Sequence, residues 1–434
     1  MRMTTFAQVN ETVCHEVLRN GLNVYLVPKQ GFSKTYAVFT TRYGSIDSHF
    51  RTNSGETIRV PDGIAHFLEH KMFEKKDRDV MHEFSKYGAS CNAFTSFNRT
   101  AYLFSCTDNL DKNLNLLLDY VQEPYFTDAS VEKEKGIIGQ EITMYDDNPD
   151  WKVYMNLLQA LYQEYPIRIE IAGTVESISH ITKEYLYQCY ETFYHPANML
   201  LLVVGSFDPA DVMNLIRRNQ EGKAFPPAPK IERFFPEEPP APAQKRVEAH
   251  LAVGLPKVLI GFKERENGLK GKDLLKRDLT TKLLLDIVLG NSSALYEKLY
   301  ESGLITETFD YDYSCETDYG YSIFGGDTPD PDALVEAVTR ELEAVRNAGI
   351  DPEAFERAKR KKIGQFLRAL NSVEFIANQF TQYKFNGNDL FDVVPVLESI
   401  AREEVEQRMK EHFQLEQMAV SIVRSAAGQE SGKS

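Results

Sequence analysis

Three residues in one short stretch could do chemistry together: His66, Glu69 and His70 form the pattern H-x-x-E-H, the reverse of the H-E-x-x-H zinc helix. On a helix, two histidines four positions apart lie on one face, so both imidazoles can bind one metal ion. Glu69 shares that face, where its carboxylate can take a proton from a water molecule at the metal. The chain has only 9 histidines in 434 residues, so the spacing is a specific signal for a hydrolytic zinc site.

The residues around the motif predict the helix that must carry it. Pro61-Asp62-Gly63 is typical of a turn that leads into a helix, and Ile64, Phe67, Leu68 and Met72 form an apolar stripe along it. The alternative is a surface helix with two solvated histidines. A helix with a buried side and a clustered His/Glu/His set favours the metal site.

A second predicted helix, over residues 130–145, offers a third ligand. Glu134 and Glu141 are almost two helical turns apart and therefore share a face. One could bind the metal while the other steadies a ligand. Periodicity alone favours the alternative, a solvated acidic stripe with lysines beside it.

Several motifs together make the chain resemble the pitrilysin family of inverted-motif zinc peptidases, which includes the insulin-degrading enzyme and the mitochondrial processing peptidase. The resemblance is most specific over residues 61–208 and is nearest to bacterial YmfH-type members, a branch of single-length subunits. Its motifs are H-x-x-E-H, Asn92-Ala93-Phe94-Thr95-Ser96, Gly173-Thr174 and Tyr194-His195-Pro196-Ala197-Asn198-Met199.

The resemblance implies roles for the metal-site residues. His66, His70 and Glu141 are the expected ligands of one Zn²⁺ per chain. Glu69 is the expected general base, and Glu134 stands at the position of the family's accessory glutamate. The same resemblance implies that Asn92, Ala93 and Phe94 lie on an edge strand, predicted over residues 90–97, that binds the peptide substrate as an added strand. An ordinary hairpin is the alternative for that strand.

The chain departs from the family at one pair of residues, and the departure suggests that a partner subunit is needed. The family's second domain carries an Arg and a Tyr in a segment like L-R-E-x-x-L-x-Y, which binds the substrate backbone and the developing oxyanion. Here Tyr300 and Thr306 stand at those two positions. The departure predicts that this chain is the zinc-bearing subunit of a heterodimer and that a homologous partner subunit supplies the Arg/Tyr pair. The alternative is that the chain forms a homodimer.

The fold class expected is α+β, with two similar domains, each a mainly antiparallel sheet packed with helices. A proline-rich linker over residues 221–245 separates a zinc-bearing domain, 1–220, from a second domain without a metal site, 246–434. Strands are predicted at 22–28, 35–41 and 258–262. Helices are predicted at 110–121, 274–289 and 331–347.

Composition excludes some classes of function. A net charge of -15, from 64 acidic and 49 basic residues, argues against nucleic-acid binding. No apolar run is long enough for a membrane span, and the first residues have no apolar signal core. Five cysteines without a C-x-x-C pair predict reduced thiols and a cytoplasmic protein.

The function predicted is that of a zinc metalloendopeptidase that hydrolyses unstructured peptides or processes precursor peptides. The alternative is a non-catalytic assembly or peptide-binding subunit on a peptidase fold. A structural zinc site would be closed by four protein ligands, whereas the sequence offers three.

Overall fold

The computed structural model describes residues 1–52 and 55–426, which form fifteen strands. In chain order they are β1 (Arg2–Phe6), β2 (Glu11–Val17), β3 (Asn23–Pro28), β4 (Thr35–Thr41), β5 (His49–Arg51), β6 (Thr57–Arg59), β7 (Ser90–Thr95), β8 (Thr100–Cys106), β9 (Met199–Gly205), β10 (Glu232–Arg233), β11 (Arg246–Leu251), β12 (Lys257–Lys263), β13 (Asp310–Cys315), β14 (Gly320–Asp327) and β15 (Met418–Ser425).

The same residues form fifteen α-helices. They are α1 (Ile64–Phe73), α2 (Val80–Lys86), α3 (Leu110–Val121), α4 (Asp128–Asp146), α5 (Pro149–Leu161), α6 (Val175–Ser179), α7 (Lys183–Phe193), α8 (Pro209–Glu221), α9 (Gly271–Leu289), α10 (Ala294–Glu301), α11 (Pro331–Ala348), α12 (Pro352–Ala369), α13 (Val373–Phe385), α14 (Val393–Ser399) and α15 (Arg402–His412). Short 3₁₀ turns lie at Pro166–Arg168, Pro196–Asn198, Leu390–Asp392 and Leu415–Gln417.

The chain divides into two compact units, and each contains pieces from both halves of the sequence. Unit 1 holds Met1–Ile142, Ile169–Phe235 and Ala369–Phe385. Unit 2 holds Thr143–Arg168, Pro236–Arg368 and Asn386–Ser434, of which the last residues lie outside the described part.

Unit 1 is built on a seven-stranded sheet in the order β1-β2-β3-β9-β4-β8-β7. All neighbours pair antiparallel except β3 and β9, which are parallel. β4 and β9 are buried along their whole length, as their apolar runs predict. β7 lies at one edge of the sheet, and β8 is its one partner among the described strands. A small second sheet has the order β10-β5-β6.

Unit 2 is built on a five-stranded sheet in the order β11-β15-β12-β14-β13. β11 and β15 are parallel, and the other neighbours are antiparallel. This order and these directions repeat the β3-β9-β4-β8-β7 part of the unit 1 sheet. The two halves of the chain therefore share one topology, which is the sign of a duplication.

Each half of the chain contributes one helix to the sheet formed mainly by the other half. α5 follows α4 in the first half and packs on β12 and β15 of unit 2. α13 follows α12 in the second half and packs on β4 and β9 of unit 1. The apolar faces of both helices are buried in these contacts.

The predicted α+β class with mainly antiparallel sheets is confirmed. The helix predicted at 110–121 and the strand at 35–41 have those bounds, and the other predicted elements differ by a few residues at their ends. Residues 221–245 contain the end of α8 and the two-residue β10. The division of the chain into homologous domains at that segment stays a prediction, because the compact units each draw residues from both sides of it.

Candidate metal centre

The start of α1 is fixed by contact between two glycine turns. Gly63, the N-cap residue, has φ +89°, and Gly173 has φ +74°, a conformation that favours glycine. A Cβ on Gly63 would meet the carbonyl oxygen of Ala172 at 2.4 Å, and one on Gly173 would meet that of Asp62 at 2.6 Å. Ser177 Oγ also donates to the Asp62 carbonyl at 2.9 Å. The loop around Gly173 therefore sets where the histidine helix begins.

The two histidines and Glu141 come together in unit 1, on α1 and α4. One ligand atom from each residue lies within 4.8 Å of the others. Nε2 of His66 is 3.6 Å from Glu141 Oε1, and Nε2 of His70 is 3.6 Å from Glu141 Oε2. These distances are too long for hydrogen bonds. They are close to the ~3.4 Å expected between two atoms that share a tetrahedral zinc ion, so the donor set fits that metal.

The surroundings of His66 keep its imidazole neutral, the form that binds a metal. Burial, assisted by the neighbouring charge of His70, lowers the pKa of His66 to about 3. Among the described residues, its buried Nδ1 has no hydrogen-bond partner. The Nε2 atom, which faces Glu141, is the atom available as a ligand.

His70 is surrounded by carboxylates. Burial lowers the pKa of His70, but the hydrogen bond that His70 donates to Glu134 and the charges of Glu69 and Glu141 outweigh this effect, so the net pKa is raised. Oε1 of Glu134 lies 3.1 Å from Nδ1 of His70. A carboxylate at Nδ1 leaves Nε2 free to bind a metal, which is how ligand histidines are commonly oriented.

Lys71 gives Glu134 a second neighbour. Its side chain is 0% exposed, and its Nζ lies 4.0 Å from Glu134 Oε2. Nζ also donates to the Ser130 carbonyl at 3.3 Å and pairs with Glu74. Lys71 is not among the residues predicted from the sequence, although the sequence contains a signal for it. Lys71 follows Phe67 by one helical turn and is therefore a charged residue on the apolar stripe.

Glu69 lies in the same site without belonging to the ligand group. The residue is only 8% exposed. Burial raises the pKa of its carboxyl group, against the hydrogen bond that Oε2 accepts from Thr95 Oγ1 at 2.6 Å. The site therefore combines three side chains that could hold a metal ion with a nearby carboxylate held by Thr95, a set of groups that suits metal-assisted hydrolysis.

The predicted substrate residues lie on the edge strand β7. Asn92, Ala93 and Phe94 pair with Leu103, Tyr102 and Ala101 of β8, and no other described strand pairs with β7. The Ala93 N–H donates to Asn92 Oδ1 at 2.9 Å. β7 packs against α1, so its edge is close to the histidine helix. Binding of substrate by these three residues stays a prediction.

The two positions of the missing Arg/Tyr pair lie in unit 2. Tyr300, near the end of α10, is 59% exposed and its ring stacks on that of Tyr296. Thr306 Oγ1 lies 2.8 Å from Thr308 Oγ1. Neither side chain provides the fixed positive charge that an oxyanion clamp requires.

Two profiles of one protein family match this chain. The profile described as "Insulinase (Peptidase family M16)" matches residues 59–175, and that described as "Peptidase M16 inactive domain" matches residues 180–362. The "uncharacterized zinc protease YmfH" of Bacillus subtilis is 54% identical over 421 residues, which are 96% of this chain and 98% of that protein. The chain belongs to the insulinase family, peptidase family M16.

Solved structures of the M16 family have the same fold. A putative M16-like peptidase from Alicyclobacillus acidocaldarius, 45% identical, superposes with a TM-score of 0.93 over 96% of this chain and 99% of its own. Pitrilysin, at 18% identity and TM-score 0.75, matches 96% of this chain with 45% of its own length. In the described ranges, the helices are too short or too polar to cross a membrane, and all five cysteines are free.

Proposed function

We propose that this protein is a zinc-dependent endopeptidase that hydrolyses unstructured peptides or peptide segments of precursors. The observation that carries the proposal is the meeting of His66, His70 and Glu141 ligand atoms within 4.8 Å, beside the buried Glu69. Family membership supports it, since several similar M16 proteins are named zinc proteases.

Each residue of the site has a part in the proposed hydrolysis. When bound, zinc supplies a Lewis acid that polarises the peptide carbonyl and lowers the pKa of a water molecule. Glu69 accepts a proton from the attacking water and donates it to the nitrogen of the departing amine, as the new C–O bond forms and the C–N bond breaks. The raised pKa of Glu69 suits both transfers, because a base works best when its pKa approaches the working pH. Glu134 orients His70 through Nδ1.

The edge of β7 is the proposed binding place of the substrate backbone. A sheet edge offers unpaired N–H and C=O groups to an extended peptide. This mode accepts many sequences, because the contacts are to the peptide main chain, and it requires an unfolded substrate. It therefore agrees with the proposed substrate class.

A homologous partner subunit is the second part of the proposal. Tyr300 and Thr306 replace the charged and hydroxyl donors that the resemblance leads us to expect. A partner chain with an intact L-R-E-x-x-L-x-Y segment would supply them. The purified chain alone should then cleave slowly and the mixed subunits rapidly; cleavage at full rate by the single chain would exclude this requirement.

Zinc content and peptide cleavage together test the main proposal. We expect the chain, stripped with a chelator and titrated with Zn²⁺, to bind about one ion and to regain cleavage of an unstructured peptide. Glu141→Gln should lose the ion, whereas Glu132→Gln, on the exposed face of the same helix, should retain it. Stoichiometric zinc without cleavage, even with the partner present, would favour the alternative, a non-catalytic peptide-binding or assembly subunit.

A further inference from the structure

Thr95 fixes the carboxylate of Glu69 from a distance of 26 positions in the sequence. Thr95 is the last residue of β7, and α1 packs against that strand, so the hydroxyl reaches the middle of the helix. Oγ1 donates to Glu69 Oε2 at 2.6 Å. An ionised carboxylate only accepts hydrogen bonds, so the hydroxyl proton must point to Glu69.

The hydroxyl group of Thr95 is itself held in place. Thr95 pairs with Thr100 across the β7–β8 hairpin, and their Oγ1 atoms lie 3.4 Å apart. Thr100 is fully buried and donates its own proton to the Tyr43 carbonyl at 2.9 Å. Each hydroxyl has a single proton: that of Thr100 goes to the Tyr43 carbonyl and that of Thr95 goes to Glu69, so the 3.4 Å approach of the two Oγ1 atoms is a packing contact. The branched Cβ further restricts rotation of the Thr95 side chain.

We infer that Thr95 is a positioning residue, which fixes one oxygen of Glu69 and leaves the other to receive the proton of the attacking water. In the described part of the chain, Oε1 of Glu69 has no hydrogen-bond partner, in keeping with that division of the two oxygens. The inference rests on the proposed function. It adds a role that neither ligand spacing nor helix periodicity indicates.

Kinetics of two variants test the inference. Thr95→Val removes the hydroxyl and keeps the shape, so we expect kcat to fall about 10- to 100-fold, with KM and zinc content unchanged, because a misplaced base loses alignment. Thr95→Ser restores the donor and should return kcat to within about threefold of the wild type. Thr12→Val makes the same change on β2 of the same sheet and should leave kcat unchanged.

Crystal structures of the metal-free variants give a readout independent of turnover. We expect the Glu69 carboxylate to rotate in Thr95→Val and to keep its position in Thr95→Ser. An unchanged carboxylate, an unchanged kcat, or a rise in KM alone would overturn the inference. If Thr95→Val does not fold, Thr95→Ala is judged by the same two measurements. If the zinc-loaded wild type cleaves no peptide, the proposed function fails, while the carboxylate position still decides the role of Thr95.

Discussion

At the scale of single residues, the three carboxylates of the proposed metal centre each have a different hydrogen-bond or contact partner. Glu141 faces the two Nε2 atoms, Glu134 faces His70 Nδ1, and Glu69 faces Thr95. Three carboxylates in one site would repel one another without such partners. The partner of each carboxylate therefore indicates its role better than its position in the sequence does.

The proposed role of Glu69 as general base predicts that one of its variants binds zinc but does not cleave peptides. In Glu69→Gln the side chain keeps its size and still accepts a hydrogen bond from Thr95, but it cannot take up a proton. We expect zinc content and melting temperature near those of the wild type and a fall of kcat by at least ~10²-fold, the usual contribution of a general base. Mass spectrometry for zinc and a peptide-cleavage assay measure the two effects. Wild-type turnover in this variant would assign the base elsewhere.

The buried side chain of Lys71 predicts that removing its charge strengthens zinc binding. Lys71→Met keeps the length of the side chain and removes a positive charge near Glu134. Without that charge, Glu134 is a stronger hydrogen-bond acceptor for His70 and makes its imidazole a better ligand, and the repulsion between Lys71 and the cation is lost. We therefore expect zinc to bind roughly tenfold more tightly, which is the lower end of the range for residues that hydrogen-bond to a metal ligand. Competition with a metal indicator measures this. Lys86→Met, which removes an exposed lysine paired with Glu83, is the control; equal affinity in both variants would contradict the prediction.

At the scale of elements, the sequence predicted the helices and strands that carry the site, because their apolar stripes and runs are long. It did not predict the contacts that fix their positions. Gly173-Thr174 was noted as a motif, but its contact with the Asp62-Gly63 turn depends on chain segments more than 100 positions apart. Periodicity describes one element at a time and contains no information on such pairs.

The glycine contact predicts opposite effects for two Gly→Ala changes. In Gly173→Ala, the new Cβ would meet the Asp62 carbonyl at 2.6 Å, and φ is +74°. The start of α1 must move, so we expect a loss of ~1–3 kcal/mol in the free energy of unfolding and weaker zinc binding. Gly136→Ala, in open space on α4, should instead stabilise the protein by ~0.5–1 kcal/mol. Denaturant unfolding compares them, and an equal effect of both changes would exclude the packing role of Gly173.

If the peptide substrate joins the sheet at the edge of β7, a proline in that strand should stop cleavage of the peptide. Ala93→Pro removes one N–H from the edge that the peptide is proposed to join and leaves the ligand residues untouched. We expect cleavage to be lost and zinc to be retained. Thr4→Pro, on β1 at the opposite edge of the same sheet, is the control and should cleave normally. Survival of cleavage in Ala93→Pro would show that the peptide binds elsewhere.

At the scale of the whole molecule, each of the two compact units contains one helix from the other half of the chain, α13 in unit 1 and α5 in unit 2. Two similar halves were expected from the sequence, and the repeated strand order agrees with that expectation. The exchange was not expected, because an amphipathic helix shows that one face is buried but not which sheet buries it. The predicted domain bounds, 1–220 and 246–434, therefore place α5 and α13 each in its own half of the chain.

The exchange predicts that neither half of the chain folds alone. A fragment of residues 1–235 lacks α13, which covers β4 and β9, and carries α5 without the sheet that buries Val153, Leu157 and Leu158. At ~1.5–3 kcal/mol for each large apolar side chain, exposing both surfaces costs about as much as the 5–15 kcal/mol that stabilises a typical domain. We expect this fragment to be insoluble or to bind a hydrophobic dye. Co-expression with residues 236–434 should give a soluble complex that binds zinc.

A cut in the intact protein provides the control for the fragments. A protease site inserted between Pro227 and Ala228, which are both exposed, breaks the chain after folding is complete. Since each compact unit contains residues from both sides of that position, the two pieces should stay together in gel filtration and separate only in denaturant. Cooperative unfolding and zinc binding by residues 1–235 alone would show instead that the first half is an independent domain, and α13 would then be dispensable for the site.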